Sequence, residues 1–157
     1  MIKKRSIFSS CSIQMYVYAF AGLNGGKQVN SIERIDTKSR VVWELVEVPD
    51  WYIHRSLPAI SSVSPDTIAI LGGSIDGIIQ QGGYLLDIRT NEIKKQEFCG
   101  GFKKSLDECN IYKRVKENSF FALVIKQDRM REMVRFNQGD SEITWLNVSI
   151  KLPTDSV

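Results

Sequence analysis

Two stretches decide how this chain is read: "YVYAFAGLNGG", Tyr16–Gly26, and "TIAILGGSIDG", Thr67–Gly77. Each runs apolar residues straight into glycine, and each meets a further glycine a few residues on. A buried strand that must turn sharply at its end reads this way, because glycine adopts backbone angles that side chains forbid. Sliding the chain along itself by 51 positions lays Ala21-Gly22 on Gly72-Gly73 and Asp36 on Asp87. A slide of 50 lays Arg5-Ser6 on Arg55-Ser56. Punctuation that recurs in register at such a period is the mark of a repeat architecture.

A third copy is fainter. Asn137 lies 50 residues beyond Asp87 and follows the strand-like "EMVRF", Glu132–Phe136. "SFFALVIK", Ser119–Lys126, stands in the place of the earlier apolar strands, and Trp145 follows Asn137 much as Trp43 follows Asp36. The chain of 157 residues thus reads as a single domain, 1–157, of three units at roughly 1–48, 49–99 and 100–157. Each unit carries about four short strands without a helical period, which predicts an antiparallel meander and an all-β fold. Runs that are apolar on both faces imply sheets covered on both sides. Asp36, Asp87 and Asn137 open the turn-like segments "DTKSR", "DIRTN" and "NQGDS", and such side chains hold turns by bonding the backbone ahead of them.

These residues resemble the kelch repeat, and the resemblance covers essentially the whole chain. The family pattern is a double glycine after the second strand, then an apolar residue followed by Asp, then Trp in the fourth strand. The first unit supplies Ala21-Gly22, Ile35-Asp36 and Trp43, the second Gly72-Gly73 and Leu86-Asp87, and the third Phe136-Asn137 and Trp145. Ala21 replaces a glycine, Lys94 falls where the second tryptophan is expected, and Val124-Ile125 stand near the third glycine pair. The resemblance implies a β-propeller with one four-stranded blade per repeat. Closed propellers have about 4–8 blades, so three blades imply one of two arrangements. The chain belongs to a longer ring, or its open faces meet a second copy or other blades.

Hydrophobic content of 43%, charged content of 25% and a net charge of +3 are those of a globular protein without a polyanion-binding face. The densest basic stretch, Lys103–Arg135, is interspersed with acids, so neither nucleic acid nor membrane is an expected partner. Cys11, Cys99 and Cys109 form no disulfide framework, which fits a reducing, cytoplasmic compartment. The first residues loosely mimic a secretory signal, but Ser9, Ser10, Ser12 and Gln14 break its apolar core.

With one histidine, no zinc site is expected, and no catalytic constellation, cofactor motif or phosphate-binding loop appears. The glycine-rich stretches lie between strands, whereas a dinucleotide site would need a helix after them. The family's common role implies protein recognition by loops at one face, here Leu23–Gln28, Ser74–Gln81 and Lys126–Arg131. The inter-unit segment "PDWYIHRS", Pro49–Ser56, gathers Trp51, Tyr52, His54 and Arg55, and Trp, Tyr and Arg are types enriched at binding hot spots. Asn24, Asp76, Arg129 and Arg131 join the candidates because their loops should share that face. The expected role is therefore a non-catalytic interaction module or scaffold. The alternatives are a kelch-fold enzyme of isomerase or lyase type, or a structural subunit of a larger assembly.

Overall fold

A computed structural model describes residues 1–39, 42–80 and 82–96, and the backbone of 108–116, 119–125, 131–138 and 143–146. Every regular element among them is a strand, and the sheets are antiparallel. In the first unit β1 (Ser9–Ile13) and β2 (Tyr16–Phe20) form a hairpin. The two-residue strands β3 (Leu23–Asn24) and β4 (Lys27–Gln28) form a separate small hairpin. β5 (Ile32–Asp36) and β6 (Trp43–Val46) then complete a four-stranded sheet in the order β1-β2-β5-β6.

The second unit repeats this plan. β7 (Ala59–Ser64), β8 (Thr67–Leu71), β11 (Gly83–Asp87) and β12 (Ile93–Gln96) form its sheet. The small hairpin is β9 (Ser74–Ile75) with β10 (Ile78–Ile79). The third sheet joins β13 (Glu108–Lys116), β14 (Ser119–Ile125), β15 (Arg131–Gln138) and β16 (Ile143–Leu146) in chain order. The first strands are neighbours, with β7 lying against both β1 and β13.

The pairing registers account for the two sliding distances. Ser12 pairs with Val17 and Ile13 with Tyr16 in the first sheet. In the second, Ser62 pairs with Ile68 and Ser64 with Thr67, and the register shifts between Ser62 and Ser64. The one extra residue is Val63, a β-bulge whose side chain is buried. Matches before it fall at 50 and matches after it at 51.

Registers also correct one expectation. Trp43 lies opposite Ile35, and Trp145 opposite Phe136. The equivalent partner of Leu86 is Ile93, not Lys94, because the turn after Asp87 is one residue shorter. Ile93 is buried and Lys94 is exposed. In the third unit no glycine break stands at the expected place, and β14 and β15 stay paired through Val124↔Glu132 and Ile125↔Arg131. The strands there run on where the first two units leave the sheet.

One apolar core joins the first two sheets. Tyr18, Phe20, Ile32 and Val46 of the first sheet share it with Ile68, Ile70, Leu86 and Ile93 of the second. Side chains alternate between faces along a strand, so one face of the first sheet packs on the opposite face of the second. No helix among the described residues is long and apolar enough to cross a membrane.

Candidate binding surface at the hairpin end

The ends of β2 and β8 show why glycine is needed. The segment entering each unit bonds the outgoing chain, through Ser6↔Leu23 in the first and Ser56↔Ser74 in the second. It passes so close that a Cβ on Gly22 would lie 2.8 Å from the Ser6 carbonyl oxygen and 2.8 Å from Phe8 Cβ. A Cβ on Gly73 would lie 2.8 Å from the Ser56 carbonyl oxygen and 3.0 Å from Arg55 Cβ. Both glycines also have positive φ, +97° and +79°. The residue before each is left-handed too, Ala21 at φ 48° and Gly72 at 59°.

The segments expected to be loops at Leu23–Gln28 and Ser74–Gln81 are these small hairpins. Gly25 and Gly26 have φ 57° and 80°, and Asp76 and Gly77 have 49° and 78°. Positive φ at both central residues is the type I′ turn that suits tight hairpins. Asn24 and Asp76 are exposed at these turns.

In each of the first two units one arginine pins the hairpin base. Arg55 is buried, and its Nη1 donates to the carbonyls of Gly72 at 2.9 Å and Gly82 at 3.1 Å. Arg5 Nη1 donates likewise to Ala21 at 2.9 Å and Ser31 at 3.1 Å. Their outer neighbours differ. Arg5 makes a fully buried ion pair with Glu33, which also accepts the N–H groups of Ile2 at 2.8 Å and Lys3 at 3.1 Å. At the equivalent position Arg55 lies over the Tyr84 ring, 4.6 Å from its centroid. Tyr84 in turn packs against Tyr52 at 5.0 Å and Trp51 at 6.1 Å between ring centroids. A carboxylate collecting N–H donors in one unit is replaced by an aromatic stack in the next.

Of the segment Pro49–Ser56, then, Tyr52 and Arg55 are buried, while Trp51 is exposed. His54 lies between the units: its carbonyl accepts from Gln28 Nε2 at 2.7 Å, and its ring meets Tyr52 edge-on at 4.8 Å. Its Nδ1 is buried without a hydrogen-bond partner. Burial first, then the charges of Lys3 and Arg5, push its pKa down to about 4. Burial pushes the half-buried Cys11 thiol up to about 12, so it stays protonated and packs against the core. Arg129 and Cys99 lie outside the described residues, and Arg131 and Cys109 are described only as backbone in β15 and β13. Among the described residues, no group of three His, Cys, Asp or Glu side chains is placed to hold a metal ion.

Two residues that the sequence reading did not single out stand beside the hairpins. Ile7 and Leu57 follow the bridging serines, lie 50 residues apart, have φ 50° each and are each 58% exposed. The shared triplets Arg5-Ser6-Ile7 and Arg55-Ser56-Leu57 were the available signal. Trp51, Ile53 and Ile78 are exposed apolar side chains of the same inter-unit segment and second hairpin. No protein-family model matches the chain, and no curated protein matches it.

Proposed function

We propose that the chain is a run of kelch-type propeller blades whose hairpin end binds a protein partner, with no chemistry of its own. The observation that carries this reading is the pair Ile7 and Leu57. A branched or bulky apolar residue at positive φ is strained by about 1 kcal/mol or more, and glycine or asparagine would fit without that strain. Each side chain also stands largely in water, so it returns little to folding. Strain held at an exposed apolar position points to use by a partner. The neighbouring type I′ hairpins are short and clamped by backbone bridges, so a partner would find them already ordered. Trp51 and Ile78 extend the apolar contact, while Tyr52 and Arg55 position it from beneath.

The test is capture by the immobilised chain, compared with the Ile7→Asn/Leu57→Asn double variant at matched folding. Proteins retained by the first and lost by the second are then titrated against both by calorimetry. Equal binding to the two forms would refute the reading.

A further inference from the structure

A second surface, on the flank of the first sheet, is separate from the hairpin end. The core between the first and second sheets follows one rule. From the first sheet it takes Cys11, Ile13, Tyr16, Tyr18, Phe20 and Ile32, which share one face by strand alternation. From the second it takes Ile60, Ile68, Ile70, Tyr84, Leu86 and Ile93, which share the face of opposite parity. Call these the front of the first sheet and the back of the second. The front of the second sheet is covered in turn, since Ala69 and Leu71 are buried and β13 lies against β7.

The back of the first sheet has the same construction with less cover. In register, Val17, Ile35 and Trp43 form one row across β2, β5 and β6. Their equivalents Ile68, Leu86 and Ile93 are 0%, 0% and 4% exposed. Val17, Ile35 and Trp43 are only half-buried, and Leu45 on the same face is 52% exposed. Residues 2–5 cover Glu33 in the upper row and leave Leu45 opposite it exposed, while the lower row of Val17, Ile35 and Trp43 is half-buried.

A matching pattern of residues recurs in the third sheet. By pairing register, Phe121, Leu123 and Met133 of the third sheet occupy the positions of Tyr18, Phe20 and Ile32. We infer that the back of the first sheet is a docking surface for the third sheet of a second copy of this chain, by the same front-on-back contact that joins the first two sheets. Each copy gives one such contact and receives one, so two copies close with two-fold symmetry and cover the back of each first sheet. The occupant follows from continuity with the contact already present between the sheets: the missing cover must be the front of such a sheet, and the third sheet's register supplies one.

Light scattering and sedimentation of the full chain over a wide concentration range provide the test. The expected species is a dimer. Leu45→Arg, at a site exposed enough to tolerate it, should weaken the dimer on the order of tenfold or more. Met133→Arg should do the same from the other side. Mixing the two variants should restore a heterodimer, because their unaltered surfaces still make one contact. Circular dichroism shows whether each variant remains folded; if Met133→Arg does not, Phe121→Arg takes its place. A chain that stays monomeric, a dimer indifferent to Leu45→Arg, or folded variants that fail to recombine would each overturn the inference.

Discussion

At the scale of single residues, glycines of equal appearance carry different loads. Gly73 and Gly77 both have positive φ, near 79° and 78°. Around Gly77 no atom lies within 4 Å of an added Cβ, whereas at Gly73 the Ser56 carbonyl is at 2.8 Å. Gly77→Ala therefore costs only the left-handed backbone, about 1 kcal/mol. Gly73→Ala adds a collision with backbone that cannot swing aside, for a total of roughly 3 kcal/mol or more. Urea unfolding of the two variants should rank them in that order, and equal midpoints would show that the entering segment yields. Ala21, at φ 48°, offers the converse change: Ala21→Gly should raise stability by about 0.5 kcal/mol after the entropy gained by the unfolded chain is deducted.

At the scale of the element, the entering segments and the strands they cross are joined by two different chemistries, and pH separates them. Burial alone would raise the Glu33 pKa, but the N–H groups of Lys3 and Ile2 and the Arg5 charge outweigh it and hold the carboxyl below its ordinary 4.5. Its folded value is below its unfolded one, so its contribution is whole above pH 4.5 and is lost as pH falls through the lower folded value. Glu33→Gln leaves Arg5 buried without its counter-charge, costing roughly 3 kcal/mol at neutral pH, and flattens this acid limb. His54 acts in a separate window. Its folded pKa of about 4 lies below the ordinary 6.5, so the unfolded chain takes up the proton first and stability declines from pH 6.5 toward 4. His54→Gln should remove that slope while leaving the more acidic limb intact. The chain has one histidine, so a single imidazole resonance titrating near 4 checks the premise directly. A resonance titrating at 6.5 would show the ring to be open to water.

At the scale of the whole molecule, position in the row of sheets decides what each face experiences. Trp43 and Ile93 hold equivalent places opposite Ile35 and Leu86, yet one is half-buried and the other closed, because the first sheet packs on the back of the second. The hairpin end yields a prediction at the same scale. Ile7→Asn and Leu57→Asn relieve left-handed strain at exposed sites, so together they should stabilise the chain by about 1–2 kcal/mol while abolishing partner capture. A double variant that unfolds more readily than the parent would mean that these side chains pack, and that the strain serves the fold.

Much of this architecture was open to reading from the chain alone, for a local reason. Strand alternation, the glycine after β2 and β8, and the aspartates whose Oδ1 accepts from Lys38 at 2.7 Å and from Arg89 at 2.8 Å are all short-range chemistry. Short-range chemistry leaves its mark in adjacent residues, and so the all-β class, the period near 50 and the turn positions were legible. Other features depend on what lies across space. No local signal distinguishes Ile93 from Lys94 as the partner of Leu86, since one residue of turn length decides it. Nothing in Ile7 or Leu57 announces a left-handed backbone, which the bridges Ser6↔Leu23 and Ser56↔Ser74 impose from outside. The sequence by itself determined the four main strands of each unit, their order and, in the first two units, the glycine at which the second strand ends. Tertiary structure alone decided that Arg55 and Tyr52 are buried, that Trp51 is exposed, and which sheet face lacks a cover. Burial belongs to pairs of surfaces, and a surface's partner is not written in its own residues.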